Sequence, residues 1–68
     1  MIGKRIIVRT TANVSFVGNI CECDIFNLNG IVIEPNPKLN TKVFIPEEEI
    51  QELVVDGKII SYKEYLSI

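Results

Sequence analysis

Two thiols, Cys21 and Cys23, flank Glu22 and lead directly into Asp24-Ile25-Phe26-Asn27, the stretch of the first half of the chain richest in chemically capable side chains. Residues two apart on an extended strand share one face, where joining the two sulfurs would strain the backbone, so no disulfide is expected. Two thiols in a chain without histidine also fall short of the four ligands of a structural zinc site. We therefore expect no metal and no cofactor. A cysteine enzyme needs an activating cation or base beside its thiol, whereas both cysteines here neighbour the carboxylate of Glu22. There is no histidine for proton transfer, no glycine-rich loop before a helix and no serine in a nucleophile setting, so no catalytic residue is expected.

Binding chemistry has better candidates. Lys4, Arg5 and Arg9 form a candidate basic patch near the start, and Glu47, Glu48, Glu49 and Glu52 a candidate acidic rim later on. The net charge is −2 and the pI about 4.9, which gives the domain no general attraction for a phosphate backbone. Arg5, Ile7 and Arg9 share a strand face opposite Ile6 and Val8, and such alternation is what any half-buried strand shows. The three consecutive glutamates point in different directions, as a solvated helical turn would, rather than converging on a metal.

Something must position these groups, and length limits it. At 68 residues the chain makes one domain over 1–68, and such a domain buries only about 60% of the surface its unfolded chain exposes. With neither disulfide nor metal to reinforce it, self-association is the expected support. Hydrophobic residues at 47% and charged residues at 24% fit a globular domain, not a disordered one. The longest apolar runs, such as Ile6-Ile7-Val8, are far too short to cross a bilayer, and no signal peptide opens the chain. The unpaired thiols fit a reducing compartment, so a cytoplasmic protein is expected.

The pattern along the chain is one of strands. A first strand is read over about Lys4 to Thr10 and, after the loop Thr11-Ala12-Asn13, a long second one over Val14 to Cys23 with Val14, Phe16, Gly18 and Ile20 on one side. Gly18 is where that strand bends most cheaply, because it lacks a Cβ. Asp24 to Asn27 supplies turn chemistry, Leu28 to Glu34 a third strand with a bulge or close approach at Gly30, and Glu34 to Asn40 a proline- and asparagine-rich loop. Thr41 to Ile45 is a fourth strand, and Pro46 to Glu49 reads as one helical turn with proline first. Ile50 to Val55 is a fifth strand, ending the barrel core at 1–55. The extension 56–68 opens with the hairpin signal Asp56-Gly57 and closes on Tyr62 to Leu66 as a short helix with a Ser61-Glu64 capping box. Tyr62 and Tyr65 would pack that helix onto the barrel.

This pattern predicts an all-β fold, a small five-stranded SH3-like open barrel with a C-terminal hairpin and short helix. The spacing also resembles that of the Sm-like (LSm) family. Gly3-Lys4 before an alternating strand, then Phe16, Gly18 and Ile20, then Asp24, resemble its first signature; Ile45, Ile50 and Leu53 resemble the apolar positions of its second.

The resemblance implies a ring-forming module that binds single-stranded RNA, with an aromatic side chain for base stacking and an asparagine for base hydrogen bonds in the loop after the aspartate. Asp24 and Phe26 match those positions; the asparagine position holds Leu28, flanked by Asn27 and Asn29. Asp24, Phe26, Asn27 and Asn29 are thus the candidate RNA-binding set. The family's Arg-Gly position holds Pro46-Glu47, which removes a cation and places a carboxylate near where RNA would lie. Two expectations follow. One is a non-enzymatic Sm-like module that self-associates, into a homo-oligomer or ring, and engages a protein partner. The other is an RNA-binding Sm-like protein, in which Phe26 is a stacking platform rather than a core aromatic.

Overall fold

The computed structural model describes residues 2–22 and 29–67. Its strands are β1 (Arg5–Thr10), β2 (Ser15–Cys21), β3 (Gly30–Glu34), β4 (Val43–Pro46), β5 (Ile50–Val55) and β6 (Lys58–Ile60), followed by a short helix α1 (Tyr62–Leu66). All six strands join one antiparallel sheet in the order β4-β3-β2-β1-β5-β6. The fold is therefore all-β, as the sequence predicts. The strand count differs from the expected five, because Lys58–Ile60 pairs along β5 (Leu53 with Ile60, Val55 with Lys58) and becomes an edge strand of the sheet itself.

Alternation explains the core. In β1, Ile6, Val8 and Thr10 are buried and Arg5, Ile7 and Arg9 exposed, the two-residue period of a strand with one face inward. β1 holds the centre, pairing with β2 on one side and β5 on the other. One cluster then joins Ile6, Val8, Ile20, Ile31, Ile33, Ile45, Leu53 and Val55. Ile45 on β4 and Leu53 on β5 lie four strands apart in the sheet order. In a flat sheet they would be about 19 Å apart, at about 4.8 Å per strand. Their membership of one cluster requires a strongly curled sheet, and overall dimensions of 28 × 28 × 26 Å agree.

Local devices make the turns. Asp56 and Gly57 both take positive φ (53° and 75°), as a tight two-residue hairpin demands. Asn13 (φ 63°) reverses the chain between β1 and β2, and the backbone of Val14 makes three hydrogen bonds with Thr10: its carbonyl accepts from the Thr10 amide and hydroxyl, and its amide donates to that hydroxyl. Tied into this turn, Val14 is 48% exposed and precedes β2, which begins at Ser15 rather than at Val14. Pro46 caps a single 3-10 turn over Glu47–Glu49 instead of standing inside it as its first residue. The loop before β4 also holds a 3-10 turn, Pro37–Leu39, whose Lys38 amide is capped by the Asn36 side chain.

The capping box of α1 forms as expected, with Ser61 Oγ accepting from the Glu64 amide and the Glu64 carboxylate accepting from the Ser61 amide. Its Tyr62 and Tyr65 pack on the core, their rings stacked with centroids 6.1 Å apart.

Candidate functional site

Of the candidate RNA-binding set, Asp24, Phe26 and Asn27 lie outside the described residues, as does Cys23. Asn29 is exposed at the entry to β3. Its carbonyl accepts a 2.9 Å hydrogen bond from the Glu47 amide, and the next residue, Gly30, pairs with Pro46. The two stretches that the sequence separates by about twenty residues thus meet at one end of the sheet. What meets Asn29 is Pro46-Glu47, and Glu47, Glu48 and Glu49 are all exposed there. The electrostatics at this end favour a cation or a hydrogen-bond donor over a phosphate.

Gly30 permits this junction. A Cβ on it would strike the Ile45 carbonyl and come within 2.7 Å of the Phe44 ring. The close backbone approach expected at this glycine is present, and it holds β3 tight against β4. The Tyr62 hydroxyl reaches the Gly30 carbonyl from α1 at 3.5 Å.

The basic and acidic candidates do not stay apart. Arg9 bridges to Glu52, Nη1 to Oε1 at 3.1 Å, and its guanidinium also donates to Asn13. Lys4 bridges to Asp56 at 2.6 Å, and Arg5 reaches Asn19 at 3.5 Å. All of these charges are partly or fully exposed, so each pair contributes about 0–1 kcal/mol. Glu52 therefore belongs with β1's arginine and not with Glu47–Glu49. Cys21 is half-buried and its thiol lies 3.6 Å from the Asn19 carbonyl. Among the described residues, no three carboxylates or thiols gather closely enough to hold a metal ion, and no helix is long and apolar enough to cross a membrane.

A feature that the sequence did not single out is an apolar hollow of about 220 Å³ beside β4. Val14 and Phe16 of the β2 side face Val43 and Phe44 of β4 across it, with Thr10 and Glu49 at its margins. A backbone bond from the Thr11 amide to the Glu49 carbonyl, 2.9 Å, ties the end of β1 to the 3-10 turn there. The alternation of β2 marks Phe16 as inward, but only the curl of the sheet brings it opposite Phe44. The hollow adjoins an edge, since β4 ends the sheet order and has a hydrogen-bonded neighbour on one side only among the described residues. β6 is the other such edge. No protein-family model, no curated protein and no solved structure matches the chain.

Proposed function

We propose that this chain is a small barrel of the SH3-like or Sm-like kind that acts as a non-enzymatic assembly and protein-binding module, working through the open edges of its sheet. One observation carries the reading: the curled sheet ends in β4 and β6, each with a row of backbone amides and carbonyls that faces no strand among the described residues. β4 is the better docking edge, because the Phe16–Phe44 hollow beside it offers an apolar pocket for side chains of an added strand. Pairing β4 of one copy with β6 of the next is head-to-tail, and closes as a ring if the rotation allows. It would also bury the apolar surface a domain this small lacks.

Measuring mass in solution together with amide hydrogen exchange tests this. The expected result is an oligomer in which the amides of Val43–Pro46 and Lys58–Ile60 gain protection as concentration rises; a stable monomer at micromolar concentration with unprotected edges refutes it. The second reading, binding of single-stranded RNA around Asp24, Phe26, Asn27 and Asn29, draws on the exposed Asn29 at the junction with Pro46-Glu47. Titration with oligo-uridine at low salt tests it: binding that is lost in Phe26→Ala supports RNA recognition, and no binding excludes it.

A further inference from the structure

The outward face of the sheet carries an apolar row four strands wide. Val17 on β2 stands opposite Ile7 on β1, Ile7 opposite Val54 on β5, and Val54 opposite Ile59 on β6. Their sequence neighbours Ile6, Val8, Leu53 and Val55 point into the core. Ile7, Val17 and Ile59 are 38%, 40% and 69% exposed, and Val54 is half-buried. A shallow depression of about 370 Å³ opens over Ile7, Val17 and Val54, with Arg5 and Asp56 at its rim. Single exposed apolar residues are ordinary, but the outer face of an antiparallel sheet is normally polar, and four in register make a patch that water solvates poorly.

The charges beside the row are sorted by strand. Lys4, Arg5 and Arg9 lie on the β1 side, and Glu52 and Asp56 on the β5 side. A line between β1 and β5 therefore separates these cations from these anions, with Lys58 of β6, paired with the inward Val55, on the anion side, and passes through the middle of the apolar row. Consider a two-fold axis along that line, just above the face. It lays β1 of one copy over β5 of the other, so that Ile7 covers Val54, Val17 covers Ile59, Arg9 meets Glu52, and Lys4 and Arg5 meet Asp56. A two-fold across the strands would instead stack Arg9 on Arg5. The charge pattern selects the first and opposes the second.

We propose that this face packs on the same face of a second copy of the chain, forming a two-fold dimer with the axis parallel to β1 and β5. The apolar row is its dry centre and the alternating charges its rim, the usual anatomy of an interface between sheets packed about 10 Å apart. The dimer covers the outer face of β6 through Ile59 but leaves the hydrogen-bonding edges of β4 and β6 free, so it goes beyond edge assembly and does not depend on it.

Sedimentation and methyl NMR from micromolar to millimolar concentration test the proposal. The expected result is a reversible dimer, with shifts confined to the methyls of Ile7, Val17, Val54 and Ile59 and no gain in amide protection on β4 or β6. Ile7→Lys should weaken it at least about tenfold, since it buries an unpaired charge. Arg9→Glu and Glu52→Arg should each abolish dimerisation alone, through like charges across the axis, while an equimolar mixture of the two associates again. Circular dichroism checks that each variant folds; if one does not, the methyl shifts of the unaltered protein decide. A protein that stays monomeric to millimolar concentration overturns the proposal. So does a dimer that survives both charge reversals, a mixture that fails to associate, or an association that protects only the β4 and β6 amides.

Discussion

The backbone of Glu34 lies against Gly18: a Cβ on that glycine would stand 2.9 Å from the Glu34 carbonyl carbon and oxygen and 3.0 Å from the Pro35 nitrogen. Backbone atoms in a paired strand cannot retreat as a flexible side chain would. Gly18→Ala is therefore expected to cost about 1–3 kcal/mol through overpacking, and Gly18→Val more. Chemical denaturation reads this as a lowered midpoint. An unchanged midpoint in Gly18→Ala would mean that Gly18 serves only to let β2 bend.

Gly57 needs glycine for a different reason. Nothing lies within 4 Å of where its Cβ would stand, yet its φ is +75°. Gly57→Ala should cost about 1 kcal/mol of backbone strain, and Gly57→Asn less, because asparagine tolerates the left-handed region. Thermal melting of the two variants side by side checks the order.

Leu53 is fully buried in the cluster that β1, β2, β3, β4 and β5 share. Leu53→Ala should cost about 2–5 kcal/mol, comparable to the whole stability of a domain this small, so the variant is expected to be largely unfolded at low concentration. Ile33→Val, at an equally buried site, should cost about 0.5–1.5 kcal/mol and leave a folded protein. Circular dichroism at several concentrations separates the two.

Among the described residues Thr10 is the one buried polar residue, 7% exposed, and its hydroxyl serves both the amide and the carbonyl of Val14. Thr10→Val should cost about 0.5–1.5 kcal/mol, because it removes the hydroxyl's hydrogen bonds while the Val14 carbonyl keeps its bond from the Thr10 amide. Thr10→Ser should retain most of the stability. Faster amide exchange at Val14 in Thr10→Val would locate the loss in the β1–β2 turn.

Ser61→Ala should cost about 0.5–2 kcal/mol by breaking the capping box. Helix α1 is only five residues long and packs Tyr62 and Tyr65 onto the core, so the loss should appear as changed tyrosine fluorescence before global unfolding.

The amino-acid sequence determined what depends on neighbours within a few residues. Alternation set the two faces of β1, Asp56-Gly57 set the last hairpin, and Ser61 with Glu64 set the start of α1, because each rests on local backbone geometry or on a bond spanning a single turn. Pairing decided the rest. Which residues stand beside Ile7 on the outer face depends on the register of three other strands, and the bridge of Arg9 to Glu52 joins residues 43 apart in the chain. The hollow between Phe16 and Phe44, the placing of β6 on an edge and the meeting of Asn29 with Glu47 likewise exist only once the sheet has curled. Alternation tells a side chain which face it takes, but its neighbours on that face are chosen by strand order, register and curvature, which the chain settles only by packing as a whole.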